Sequence, residues 1–187
     1  GGNVLLRREQ YRIADDPARC CEIARTMIFG KLSNGAASIQ RTLRDHAPRV
    51  QDCGLATAAA NIRSLLPQIL TVSDPDTLRG LEGVAATAYF EVFDHMLLNR
   101  KEDFFLRGRS RRPPLDRVNA MLSFAYSLLA HDCASALESV GLDSYVGFLH
   151  RDRPGRQSLA LDLMEELRPC MADRFVLTLV NNRMIRP

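Results

Sequence analysis

The run Ser73–Leu98, SDPDTLRGLEGVAATAYFEVFDHMLL, decides the fold class. Ser73-Asp74-Pro75 joins a helix-capping side chain to a proline in the first turn, where its missing N–H is not needed. Beyond it, Leu78, Ala85, Tyr89, Val92, Phe93 and Met96 recur at helical spacing and form one apolar stripe. That spacing predicts a long amphipathic helix to about Leu98. Working outward, Asp15-Asp16-Pro17 opens a helix toward Phe29 by the same logic. Asn34-Gly35 predicts a break, and a second helix then runs toward His46 and stops near Pro48. An Ala-rich helix covers roughly Asp52–Leu66.

On the C-terminal side, Arg100–Pro114 is highly charged and ends Arg-Arg-Pro-Pro, the composition of a loop. Leu115-Asp116 caps another long helix to about Val140, where Gly141 ends it. A helix is expected over Ser158–Leu167. Arg168-Pro169 then forces a new start, and a last helix reaches about Val180. Alternating Val/Ile/Thr segments and internal repeats are nearly absent. The expected class is all-α: a multi-helix domain over residues 15–187, entered through a short extended N-terminal arm over residues 1–14, Asn3–Arg12 in particular.

Composition narrows the possibilities. A chain of 187 residues, 46% hydrophobic and 25% charged, is long enough to bury a core and is not disordered by composition. The net charge of +3 alone predicts no nucleic-acid partner, but 23 of the 25 basic residues are arginine, whose planar fork suits phosphate. A general preference for arginine explains most of that count, so only local clusters carry weight. The five cysteines form no CxxC pair and are scattered, which reads as reduced thiols in a cytoplasmic protein. The apolar stretch around Ala120–Ala130 is too short to span a membrane. The chain opens Gly1-Gly2, so a piece of a longer protein is expected.

Chemistry concentrates in two places. Glu82 falls on the apolar stripe of the first helix described, beside the small residues Gly83, Ala85 and Ala86. A carboxylate facing a core is costly unless it is paired with a cation or binds a metal. The second place is Gly147–Pro169, GFLHRDRPGRQSLALDLMEELRP. It ends a short apolar segment at His150, continues as an Arg-flanked Pro-Gly turn, and enters a helix carrying Asp162, Glu165 and Glu166. Spacings of three and four put Asp162 on one face with both glutamates, next to a stripe of Leu159, Leu163 and Leu167. His150 with Asp162 and Glu165 could hold a divalent ion, and Arg151, Arg153 and Arg156 could meet phosphates. Such a combination suits phosphodiester chemistry. The competing structural readings are a satisfied core histidine and a helix face tied by salt bridges to Arg153, Arg156 and Arg168. Arg107, Arg109, Arg111 and Arg112 make a second cluster, either a solvated loop or, with the first, a track for a DNA backbone. Met121, Phe124 and Tyr126 on the following helix are expected in the core.

These residues carry a resemblance. GFLH followed by PGRQSLALDLMEELRP resembles the signature of the CRISPR adaptation integrase family, the first of the numbered Cas proteins. LEGVAATAYFEVF is similar to that family's earlier motif, and RGRSRRPPLDRVNAMLSFAYSLL to its central one. NVLLRREQYR resembles the entry into the helical domain in the branch linked to type I-C systems. The order of the motifs fits across nearly the whole chain as the family's C-terminal helical domain. The family's N-terminal β-rich domain, which mediates much of its dimer contact, has no counterpart here.

The resemblance implies a metal-dependent DNA endonuclease and integrase that joins new spacer DNA to a CRISPR array. It implies Glu82, His150 and Glu165 as metal ligands and catalytic residues, with Asp162 matching an extra acid of some members and Glu166 set aside. It also implies double-stranded or branched DNA, a homodimer and the small second adaptation Cas protein as partners. Two acids and one imidazole suit Mn²⁺ or Mg²⁺, Mn²⁺ being more tolerant of nitrogen. His150 must be neutral to ligate, so metal affinity is expected to fall at acid pH. Two rivals remain at this point. A non-catalytic DNA-binding scaffold would show a broken ligand set. An HD-type metal phosphohydrolase would use His131-Asp132 with His95 and Asp162.

Overall fold

The computed structural model describes residues 3–50 and 53–186, and among them the regular elements are all helical. In chain order these are α1 (Val4–Ala14), α2 (Pro17–Val50), α3 (Leu55–Ser64), α4 (Leu66–Thr71) and α5 (Pro75–Phe93). They continue as α6 (Arg117–Ser139), α7 (Ser158–Leu167) and α8 (Arg174–Asn181). A 3₁₀ turn at Asp94–Met96 extends α5, and a π-helical stretch at Arg168–Asp173 joins α7 to α8. The all-α expectation is what forms.

Helix α2 is the spine. Cys21, Ala24, Ile28, Leu32, Ala36 and Ile39 recur at spacings of three and four, all are buried, and they pack against α3, α5 and α7. Helix α6 closes the other side of α7 with Val118, Leu122, Ala125, Leu129 and Leu137. α7 is therefore held between two long helices, which fixes the direction of every side chain it carries.

The capping signals worked where they are local. Asp74 accepts from the Thr77 amide at 2.7 Å, and Asp116 accepts from the Asn119 amide at 2.7 Å. Gly141, at φ +93°, ends the α6 region, and α7 occupies the residues its sequence predicts. The beginning of the Ala-rich helix predicted from Asp52 lies outside the described residues; α3 starts at Leu55 after Gly54.

Four expectations are corrected. Asn34-Gly35 does not interrupt α2. Gly35 is buried where an added Cβ would lie 3.6 Å from the Tyr89 ring, and Asn34 Nδ2 donates to the Glu166 carbonyl at 2.9 Å. These contacts outweigh the ~1 kcal/mol by which glycine disfavours a helix interior. The helix instead kinks at His46, two residues before Pro48. Asn3–Arg12 is not an extended arm: Asn3 caps the Leu6 amide at 3.1 Å, and α1 is rich in Leu, Arg, Glu and Gln, which favour helix. Buried Gln10 ties α1 to the loop after α6 by donating to the Asp143 and Val146 carbonyls and accepting from the Asp143 amide. Arg168-Pro169 does not restart the chain, because the widened π turn absorbs Pro169 and carries the helix into α8. Finally, Tyr126 is buried but Phe124 is 64% exposed, two residues round the helix from it.

Among the described residues no helix is long and apolar enough to cross a membrane. All five cysteines are free thiols.

Candidate metal centre and nucleic-acid cleft

The His150 segment is shaped by α7. The carbonyl of Ser144 accepts from the Leu159 and Ala160 amides at the start of that helix, so the preceding loop meets its N-terminus. Gly147 then lies so close that an added Cβ would stand 2.7 Å from Ser158 Cβ and 2.9 Å from Asp162 Oδ2. Only glycine allows this approach.

Asp162 is fully buried and each of its oxygens is used. Oδ2 accepts from the Phe148 amide at 2.6 Å and the Leu149 amide at 2.9 Å. Oδ1 accepts from the His150 amide at 3.0 Å and meets the His150 Nδ1 at 2.5 Å. A carboxylate can only accept, so Nδ1 carries a proton, and in the neutral imidazole Nε2 is the nitrogen with the lone pair. This corrects the suggestion that Asp162 belongs among the metal ligands. It positions the His150 segment and the imidazole ring instead.

Arg79, one turn before Glu82 on α5, donates to the Leu149 carbonyl from Nε at 3.1 Å and Nη2 at 2.7 Å. Leu149 is thus gripped at its N–H from α7 and at its C=O from α5. Glu82, His150 and Glu165 come from three separate elements and line one cleft, with Arg151, Arg153 and Arg156 around it. His150 Nε2 faces Glu165 Oε1 at 3.9 Å.

The polar atoms of these three side chains do not close on one point, and Lys31 of α2 stands between the acids. Its ammonium contacts Glu82 Oε1 and lies 2.5 Å from Glu165 Oε2. Among the described residues no trio of His, Cys, Asp or Glu side chains is gathered tightly enough to hold an ion by itself. Arg168 contacts Glu165 Oε1 at 2.9 Å. Burial pushes the Glu165 carboxyl up, but the charges of Lys31 and Arg168 outweigh it and hold the group below the usual carboxylate range. The donor set still fits a hard divalent ion: two carboxylates, an imidazole with its free nitrogen toward them, and in Glu165 Oε2 a buried oxygen that accepts no well-directed hydrogen bond. Glu166 lies to one side, over Gly30 of α2.

Behind the acids is a buried polar group of a different kind. Tyr126 donates to Asp173 at 2.5 Å, and the guanidinium groups of Arg109 and Arg168 lie over the Tyr126 ring at 5.2 and 4.9 Å. Burial pushes the Asp173 carboxyl up to about 6, although Tyr126 and the nearby cations favour its charged form.

The two arginine clusters separate. Arg151 and Arg153 are exposed and Arg156 half-buried, all on the cleft. Arg107, Arg111 and Arg112 are exposed on the loop before α6. Arg109 is corrected as a DNA-facing residue: it turns inward, donating to Asn119 Oδ1 at 2.7 Å, and burial lowers its pKa. The HD-type arrangement is also absent. His95, His131 and Asp132 are exposed, while Asp162 is committed to His150. Sequence reasoning missed Lys31 and Arg79. Lys31 had one signal: it is one of only two lysines among 25 basic residues.

Comparison with known proteins assigns the chain to a family. The family profile described as CRISPR associated protein Cas1 matches residues 1–187. The chain belongs to the Cas1 family. A CRISPR-associated endonuclease Cas1 of Rhodospirillum rubrum is 52% identical over 189 residues, covering 99% of this chain and 54% of the relative. One from Chlorobaculum tepidum is 48% identical, covering 98% and 54%. The chain thus spans about half the length of these Cas1 relatives. Among solved structures, a casposase bound to integration product matches with TM-score 0.78 and 27% identity, over 100% of this chain and 50% of that one. A Cas6-RT-Cas1–Cas2 complex matches with TM-score 0.81 and 27% identity, over 98% and 19%.

Proposed function

We propose that this chain is the catalytic half of a metal-dependent DNA endonuclease/integrase that inserts spacer DNA into a CRISPR array by phosphodiester transesterification. The observation that carries this reading is the meeting of Glu82, His150 and Glu165, from three elements, in one cleft beneath Arg151, Arg153 and Arg156. In this reading residues 1–14 lead in from a β-rich domain and residues 15–187 form the catalytic domain.

Glu82, His150 and Glu165 would hold Mn²⁺ or Mg²⁺. When bound, such an ion polarises a phosphate and activates a water or a 3′-hydroxyl. The protein's own contribution is positioning. Asp162 keeps the His150 proton on Nδ1, Arg79 and Asp162 hold the Leu149 backbone from both sides, and Arg168 orients Glu165. Arg151, Arg153 and Arg156 would receive the DNA backbone, contacts that position the duplex without reading its sequence. Double-stranded or branched DNA, a second copy of the chain and the small second adaptation Cas protein are the proposed partners. The DNA and the second Cas protein are supported by two of the matched structures, a casposase bound to integration product and a Cas6-RT-Cas1–Cas2 complex.

The test is nicking and half-site integration of branched DNA with Mn²⁺, comparing the parent with Glu82→Ala and His150→Ala. Activity in the parent, lost in both variants while DNA binding is kept, is the expected result. Equal activity in all three would leave only a binding role.

A further inference from the structure

Lys31 lines the cavity that adjoins the cleft and shares Glu82 with it, and the proposed chemistry assigns it no task. It projects from α2 and is largely covered, and its ammonium touches one oxygen of each acid, Glu82 Oε1 and Glu165 Oε2. Oε2 is buried and accepts no directed hydrogen bond, so the 2.5 Å contact holds it by charge. Arg168 takes the other Glu165 oxygen. Two carboxylates are thereby matched by two cations of the protein itself. The two cations differ in kind. A guanidinium is a rigid planar fork, whereas an ammonium is a compact charge on a flexible stem that can withdraw. In a chain with 23 arginines and two lysines, lysine stands at the position between the two acids.

We infer that Lys31 is an exchangeable internal counter-cation, which neutralises Glu82 and Glu165 until a divalent ion enters and displaces its ammonium from between them. This rests on the metal site proposed above. It has two opposed consequences. Without an ion, Lys31 balances the second of two adjacent carboxylate charges, which Arg168 alone leaves unmatched, so it stabilises the fold. In the presence of an ion it competes for the same oxygens, so it weakens metal binding.

Lysine footprinting tests the inference on the parent chain. Lys31 and Lys101 are the only lysines, so acetylation read by peptide mass spectrometry resolves each of them. Adding Mn²⁺ should raise labelling of Lys31 several-fold, leave Lys101 unchanged, and have no effect in His150→Ala. Calorimetric titration of Lys31→Met should show Mn²⁺ bound about 10- to 100-fold more tightly than in the parent, the scale on which groups around a metal's ligands act. Its thermal unfolding in chelator should be lowered and then recovered by Mn²⁺. Mn²⁺ binding to the parent with constant Lys31 labelling, or Lys31→Met binding no tighter, would overturn the inference while leaving the metal site intact. Mn²⁺ binding that is the same in the parent, Glu82→Gln and His150→Ala would overturn the site itself, and the Lys31 inference with it. If Lys31→Met does not fold, the footprint of the parent decides.

Discussion

Replacing Asp162 by asparagine should loosen the His150 segment while the helices stay formed. Asp162 is fully buried and serves four donors, the amides of Phe148, Leu149 and His150 and the His150 Nδ1. Asparagine is nearly the same shape but keeps one acceptor oxygen and turns the other into a donor. Either the Phe148 and Leu149 amides then face an NH₂, or the His150 amide does while the imidazole changes tautomer and accepts from it at Nδ1. The second arrangement leaves one buried donor unpaired, at a cost of ~1–3 kcal/mol, or about 2 kcal/mol. For a chain of this size 1 kcal/mol moves the midpoint by about 2–4 °C, which gives a fall of about 4–8 °C. Circular dichroism measures the midpoint, and hydrogen exchange of the three amides shows whether the loss is local. Asp132→Asn, an exposed acid on α6, is the control and should stay within about 0.5 kcal/mol of the parent. An Asp162→Asn midpoint within 2 °C of the parent (roughly 1 kcal/mol or less), with the three amides still protected, would refute the reasoning.

Other consequences follow from the same geometry. Gly147→Ala forces a Cβ to within 2.7 Å of Ser158 Cβ, and should cost about 1–3 kcal/mol, read as a lower midpoint. Asp173 titrates from about 6 in the fold against 3.8 ordinarily, so the folded state binds the proton more tightly than the unfolded chain. Its contribution is therefore full at pH values below about 4 and declines as pH rises through about 6, by about 3 kcal/mol in all. Denaturant titrations at a series of pH values should show this decline in the parent and not in Asp173→Asn; parallel curves would contradict it. Replacing both Arg153 and Arg156 by Ala should weaken DNA binding and reduce the slope of log affinity against log salt by up to about 2. Arg109→Ala should lower stability and leave that slope unchanged, and a reduced slope there would return Arg109 to the DNA surface.

The legible parts of the sequence were those in which cause and effect are neighbours. Asp74 and Asp116 cap amides three residues away, and the α5 stripe from Leu78 to Met96 is buried as its spacing predicts. Glu82 on that stripe, and His150 ahead of an acidic helix, could be picked out because each is a polar group where apolar residues would be ordinary. Errors arose where local preference met distant packing. Asn34-Gly35 reads as a break until the Tyr89 ring and the Glu166 carbonyl are opposite it. Arg109 reads as a phosphate contact until Asn119 and Tyr126 draw it inward.

The sequence by itself determined the all-α class, the main helix starts and the candidate acids, because helix periodicity and capping act over three or four residues. Only the tertiary structure decided what each acid does. Asp162 and Glu165 are one turn apart on α7, yet one faces the amides of 148–150 and the other faces Lys31, Arg168 and the cleft. That division depends on α2, α5 and the Gly147 segment arriving together at one end of α7. The sequence separation between Lys31, Glu82 and Glu165 says nothing of that meeting, because burial of the apolar faces around α2 and α7 is what enforces it.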